Sequence, residues 1–293
     1  MSQRRTFLKQ ASLAAAAATL LPRMAFAATK KHDLGLQLYS LRKMLPDDVK
    51  GTLERVAKIG FKEVETFGYA LENGFWGTNI DEFNQILKAN GMTTPSGHYS
   101  VDTFLAADGT KEEFLPLLDV AHKLNQNYFV IPYLGDGLRG SIDDYKRLAE
   151  KFNVAGELCK EAGLKLGYHN HDFEFKDYNG QNGYEILLAE TDKDLVDFEM
   201  DIYWVARSGV DPIALFNKYP GRFPLWHVKD MDKADNDLNT EIGAGTIDYA
   251  AIFDNMKKSG AEHLIIEQEN FSMDAYKSLT QSVNYIEKDL LNG

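Results

Sequence analysis

The 293-residue chain has a single cysteine, Cys159. One thiol cannot form an internal disulfide, and it excludes a cysteine-based zinc site. Positive charge is also scarce. Lys and Arg number 32 against 44 Asp and Glu, a formal net charge of −12. Phosphate backbones are bound by Lys/Arg surfaces, so nucleic acid is not an expected partner. There is no glycine-rich phosphate loop after the first predicted strand, which runs into YSLRKMLPDD. An open, doubly wound nucleotide-binding sheet would normally carry one there. No low-complexity linker divides the chain, and hydrophobic residues make up 44%, enough for a substantial core.

The first 27 residues read as a segment apart. MSQRRTFLK places Arg4 and Arg5 ahead of the alanine-rich ASLAAAAATLL, and AFAA offers a small-x-small cleavage site after Ala27. Pro22 and Arg23 interrupt the apolar stretch, which makes it short for a membrane span. The segment resembles a twin-arginine export signal, with Gln3 where serine or threonine is usual. The competing reading is a basic anchor helix that stays attached. Export implies a periplasmic protein with no stable membrane insertion once the signal is removed. Loss of residues 1–27 removes four basic residues and no acid, which takes the formal charge from −12 to −16.

From residue 28 to 293 one domain is expected. Short apolar runs alternate with amphipathic stretches. The predicted strands are 34–40, 62–67, 93–99, 128–133, 164–170, 195–201, 223–229 and 263–269. Helices are predicted between and after them at 47–59, 79–90, 111–124, 142–162, 182–191, 211–219, 248–258 and 273–291. In the longest, Leu148, Phe152, Ala155 and Leu158 share one face. KIGF, ANGM, EAGL and KSGA put a glycine where a helix must close before the next strand. Eight such units predict an α/β fold, a (β/α)8 TIM barrel. The irregular stretch 230–247, with GAG at 243–245, is long enough to suggest a function.

Barrel chemistry sits at the carboxyl ends of the strands. The stretch LGYHNHDFEF places His169, His171 and Glu174 there on the fifth strand. Asp201 ends the sixth, His227 and Lys229 lie on the seventh, and Glu267 and Glu269 on the eighth. Glu65 and His98 occupy the second and third. Polar strand ends can be ordinary loop polarity, but buried charge is costly unless it is paired or bound to metal. Acids and histidines on four successive strand ends therefore point to one site. Three carboxylates and an imidazole suit one divalent ion, Mn2+, Mg2+, Co2+ or Zn2+.

The pattern HNHDFEF, DIYWVARSGVDP, HVKD, EIGAGTIDY and LIIEQEN resembles the sugar phosphate isomerase/epimerase group of the xylose isomerase-like barrels over roughly 33–290. That resemblance implies a metal held by a glutamate from strand five, an aspartate from six, a histidine from seven and a glutamate from eight. Asp201, His227 and Glu267 take three of these places. Register puts His169 in the fourth, and Glu174 lies five residues on. Glu174 is the expected ligand and His169 the alternative.

The implied reaction is proton abstraction next to a carbonyl of a keto-sugar, through an enediolate. Glu267 is the expected base, with Glu174, His169, His171 and Lys229 as further catalytic candidates. His98, Glu65, Trp204 and Glu269 are the expected substrate contacts. Trp76 reads equally as a sugar-stacking or a core residue, Glu65 as barrel-facing or salt-bridged, and Lys229 as a polarising group or a partner of Asp230. The partner is a small sugar, and export favours free sugars or glycosides over phosphates. Elimination from 3-keto-glycosides shares the first step and is the alternative to isomerisation or epimerisation. Two rivals of other classes are a non-catalytic sugar-binding protein, which would lack metal ligands, and a nuclease on the barrel of endonuclease IV, which would need a basic rim. The oligomeric state is not readable from the sequence.

Overall fold

The computed structural model describes residues 32–292, so the predicted signal segment lies outside the described residues. Eight parallel strands close into a barrel: Leu34–Gln37, Glu63–Thr66, Thr93–His98, Tyr128–Ile131, Lys165–His169, Val196–Asp201, Leu225–Val228 and His263–Ile266. Each pairs with the next along the chain, and the ring closes where Leu34–Leu36 pair with Leu264–Ile266. All eight fall inside the predicted segments.

Helices follow the strands and cover the outside, the longest being Ile142–Glu161. Its buried face carries Leu148, Phe152, Ala155 and Cys159, while Leu158 is only half-buried at its edge. The four glycines expected to close helices, Gly60, Gly91, Gly163 and Gly260, all have positive φ. Two core layers result. The larger lies between strands and helices. A small plug of Tyr128, Val130, Leu225 and Ile265 fills the barrel interior. Alternate residues of a strand share a face, so the chain that points Leu225 into the plug also points His227 inward, one layer higher. Interior crowding also explains Gly35 and Gly167, where a Cβ would lie 3.2 Å from Ile265 and 3.1 Å from Val130.

Four local differences from the predicted pattern have physical causes. The first strand ends at Gln37 and turns into a 3-10 helix, Leu38–Leu41, because the Gln37 side chain accepts from the Tyr39 N–H. An extra short helix, Ile202–Arg207, follows the sixth strand and is capped by Asp201. The helix predicted at 248–258 is two pieces, Tyr249–Phe253 and Met256–Ser259. The stretch 230–247 contains a small antiparallel ladder, Asp230–Met231 with Asn239–Thr240.

Asp230 organises that loop. Its two carboxylate oxygens accept from the N–H groups of Met231, Gly243, Gly245 and Ile247 at 2.8–3.1 Å. A Cβ at Gly245 would lie 2.2 Å from the Asp230 carboxylate. The aspartate of HVKD and the glycines of GAGTID are therefore two halves of one structure, and Lys229 is left without Asp230 as its partner.

Candidate functional site

On the fifth strand Tyr168 turns outward to pack on Phe152, and His169, the next residue, turns inward. The His169 Nδ1 donates to the Pro132 carbonyl at 3.1 Å, which leaves Nε2 as an acceptor aimed into the barrel mouth. Asp201 has two tasks. One oxygen accepts from the Trp204 N–H at 3.1 Å and starts the short helix; the other, Oδ2, faces His169 Nε2 at 3.4 Å. His227 Nδ1 lies 3.4 Å from Glu267 Oε2 and 3.9 Å from Asp201 Oδ2. One ligand atom from each of His169, Asp201, His227 and Glu267 lies within 4.8 Å of the other three, and all four residues are buried.

Three of these atoms, His169 Nε2, Asp201 Oδ2 and His227 Nδ1, are buried with no hydrogen-bond partner among the described residues. Buried polar groups normally find partners. Asp201 Oδ2 stands 3.4 Å from His169 Nε2 and 3.9 Å from His227 Nδ1, spacings that fit a shared cation. The donor set, two imidazoles and two carboxylates, suits a divalent ion.

Beneath lies a second group, Glu65, His98, Glu199 and His227. His227 Nε2 meets Glu65 Oε2 at 2.7 Å, which Gln37 also contacts at 2.6 Å. A carboxylate behind a ligand histidine fixes the ring's tautomer and aims the other nitrogen. His98 Nε2 sits between Glu199 at 2.7 Å and Glu65 at 3.0 Å. Burial opposes the charged form of His98, but these two carboxylates raise its pKa to about 9. Burial, with Glu65 alongside, pushes Glu199 up to about 7. Burial would lower His227, yet Glu199 and Glu267 hold it well above an ordinary imidazole. The same negative field favours a bound cation. Burial would likewise raise Glu267, but Lys229 and His227 hold it well below the usual carboxylate range.

Lys229 is fully buried. It pairs with Glu267 at 3.0 Å and with Glu269, and lies 3.7 Å from Asp201. Of the two readings of Lys229, the pairing with Asp230 is not formed, because the Asp230 oxygens face the loop amides. His171 lines the mouth and stacks on Phe173. Burial, with His169 nearby, lowers its pKa well below the imidazole value.

Glu174 is not brought into the ligand group. Its carboxylate accepts from the His171 N–H at 3.0 Å and from the Tyr168 hydroxyl, closing the turn upon itself. Burial lifts its pKa to about 7. Its place among the ligand atoms is taken by His169. Trp204, Glu269 and His98 line the cavity, whereas Trp76 packs on Phe67 and Phe75. Glu65 lies below, salt-bridged. Glu199 escaped the sequence reading, although it sits two residues before Asp201 and so shares its inward face. The cavity above the cluster measures about 430 Å3, and its aromatic walls, Tyr39, Phe67 and Tyr133, were also missed. No local sequence signal marks them.

Residues 53–289 match the model of the xylose isomerase-like TIM barrel family. A solved sugar phosphate isomerase/epimerase from Parabacteroides distasonis superposes with a TM-score of 0.76 at 28% identity, covering 90% of this chain and 97% of the other. Inosose dehydratase from Clostridium beijerinckii is 25% identical over 213 residues, 61% of this chain and 70% of that one. The 3-keto-D-glucoside 4-epimerase of Escherichia coli shares the fold, with a TM-score of 0.68 at 15% identity over 88% of this chain and 99% of that one.

Proposed function

This chain belongs to the xylose isomerase-like TIM barrel family, and on that premise we propose that it is a divalent-metal-dependent enzyme that removes a proton next to the carbonyl of a keto-sugar or sugar derivative. One observation carries the reading: the three buried atoms of His169, Asp201 and His227, unpartnered among the described residues, converge beside Glu267. A non-catalytic sugar-binding protein has no need of such a set, and the formal charge of −12 remains an argument against a nuclease.

A divalent ion held by His169, Asp201, His227 and Glu267 would supply Lewis acidity to a substrate oxygen. The protein's own groups do the rest. Glu267, ionised beside Lys229 and His227, accepts the proton. His171, at the mouth, is the second acceptor. Lys229 holds Glu267 and Glu269 in place. Return of the proton to the other face gives the epimer, and to the neighbouring carbon the isomer.

A second reading is elimination, as in the name of the inosose dehydratase relative. It is favoured by His98, which lines the cavity as an imidazolium between Glu65 and Glu199 and can donate to a departing oxygen. Product analysis with 3-keto-glycosides separates the two readings, since elimination frees the aglycone and epimerisation retains it.

The test of the shared step is exchange of the substrate α-proton in deuterated water. Glu267→Gln loaded with excess Mn2+ keeps one oxygen ligand and loses the base. Its exchange rate should fall by ~100- to 10,000-fold. Near wild-type exchange at full metal occupancy would move the base to His171.

A further inference from the structure

The cavity has two chemically distinct parts. Its floor is the histidine and carboxylate cluster; its walls are aromatic. On one side Tyr39 and Phe67, which follow the first and second strands, meet edge-on at 5.1 Å. Tyr133 and Trp204, which follow the fourth and sixth strands, line the cavity too. In an eight-strand ring those two pairs of strands lie across the mouth from one another. Tyr133 is braced edge-on by Phe173 at 5.2 Å and by His171 at 5.1 Å. Tyr39 and Tyr133 remain 38% and 44% exposed, so large aromatic surface faces solvent at the entrance. One aromatic face is enough to stack on a sugar ring; two walls leave apolar surface that a single sugar ring does not cover. The volume of about 430 Å3 lies within the roughly 300–1,000 Å3 typical of sites for drug-sized ligands.

The walls also lack lysine and arginine: among the described residues, neither lines the cavity. Lys229 is sealed beneath Glu267 and Glu269. Arg42 lies over the Tyr39 ring at 4.3 Å, Arg139 over the Phe173 ring at 3.6 Å, and Arg207 is tied to Asp172 and Asp237. A phosphate group would enter a mouth rimmed by Glu267 and Glu269, and among the described residues no free lysine or arginine meets it; positive charge is confined to the floor.

We propose that the substrate is an uncharged sugar bearing a flat apolar group, an aryl glycoside rather than a sugar phosphate, with the sugar on the polar floor and the aryl group between the aromatic walls. The proposal rests on the sugar-site reading above. Aromatic pairs add to the burial of apolar area, and the aryl group covers surface that a methyl group leaves wet.

The test uses the metal-loaded protein and three unreactive probes, phenyl β-D-glucoside, methyl β-D-glucoside and glucose 1-phosphate, with titration calorimetry as the readout. The phenyl glycoside should bind about ten-fold tighter than the methyl glycoside or better, and the phosphate weakest of the three. Tyr133→Ala and Tyr39→Ala change half-exposed side chains, so the fold should be retained. Each should erase most of the phenyl advantage while moving the methyl Kd less than two-fold. Equal binding of phenyl and methyl probes, tightest binding of the phosphate, or equal loss for both glycosides in the variants would overturn the proposal. Deuterium exchange on keto-sugars is scored separately. Exchange without a phenyl preference removes this proposal alone; a phenyl preference without exchange removes the catalytic reading and leaves the binding one.

Discussion

An imidazole in place of a carboxylate at position 169 changes the field around a bound ion. The resemblance implied three carboxylates and one histidine; the group at the barrel mouth has two of each. Imidazole favours Zn2+ and Co2+, whereas Mg2+ prefers oxygen. Metal analysis should therefore find Mn2+, Co2+ or Zn2+ retained through gel filtration, with Mg2+ washed out. His169→Ala should lose most of the metal, and His169→Glu should regain it with improved Mg2+ retention. Glu174→Gln should keep full occupancy, since its carboxylate serves the His171 amide and Tyr168. Metal loss in Glu174→Gln with none in His169→Ala would reverse the assignment. Sequence spacing left these two residues open because a turn decides between them, and Glu174 is committed to that turn by a hydrogen bond three residues back. Glu199 was legible in principle from the two-residue period, once Asp201 had been placed.

The loop closed by Asp230 shows what an element contributes. One carboxylate gathers four backbone N–H groups spread over Met231 to Ile247. From the same loop, the Asn239 Oδ1 accepts from the N–H groups of Glu269 and Asn270, which steadies the strand end carrying Glu267. Asp230→Ala takes the shared acceptor from four part-buried donors, at up to ~1 kcal/mol each. Denaturant unfolding should show a loss of about 3 kcal/mol, with faster amide exchange concentrated at 243–247; a loss spread evenly over the barrel would contradict the hub. The strands and most helices were readable from periodicity, and four helix ends from glycine. The helix Ile202–Arg207 and the hairpin pairing Tyr69–Ala70 with Gly74–Phe75 were not. Both are too short for periodicity to register; the helix begins on the Asp201 carboxylate and the hairpin packs Phe75 on Phe83.

At the scale of the whole molecule, a cation that binds only the folded barrel stabilises it by mass action. At a hundred-fold excess over Kd this is about 2.7 kcal/mol, so a chelator should lower Tm by roughly 5–10 °C. An unchanged Tm in a protein shown to lose its metal would mean that the cluster is held as firmly by its own ion pairs. No described helix is long and apolar enough to cross a membrane. Export, proposed from the sequence of residues 1–27 alone, has a separate test. Lysine at both Arg4 and Arg5 preserves charge and should strand the precursor in the cytoplasm; normal periplasmic yield would rule the route out. The closure of the barrel sets a timetable for all of this. Leu34 pairs with Leu264, 230 positions later, so the opening strand of the ring waits for nearly the whole chain to leave the ribosome. Contacts of such long sequence separation form slowly. Until then the first strand, paired only with the second, keeps its outer edge open to misassociation. The nascent protein thus passes its most vulnerable interval inside the cell that makes it, where chaperones can guard its edges, and a translocase that accepts finished folds would receive it only after that interval has ended.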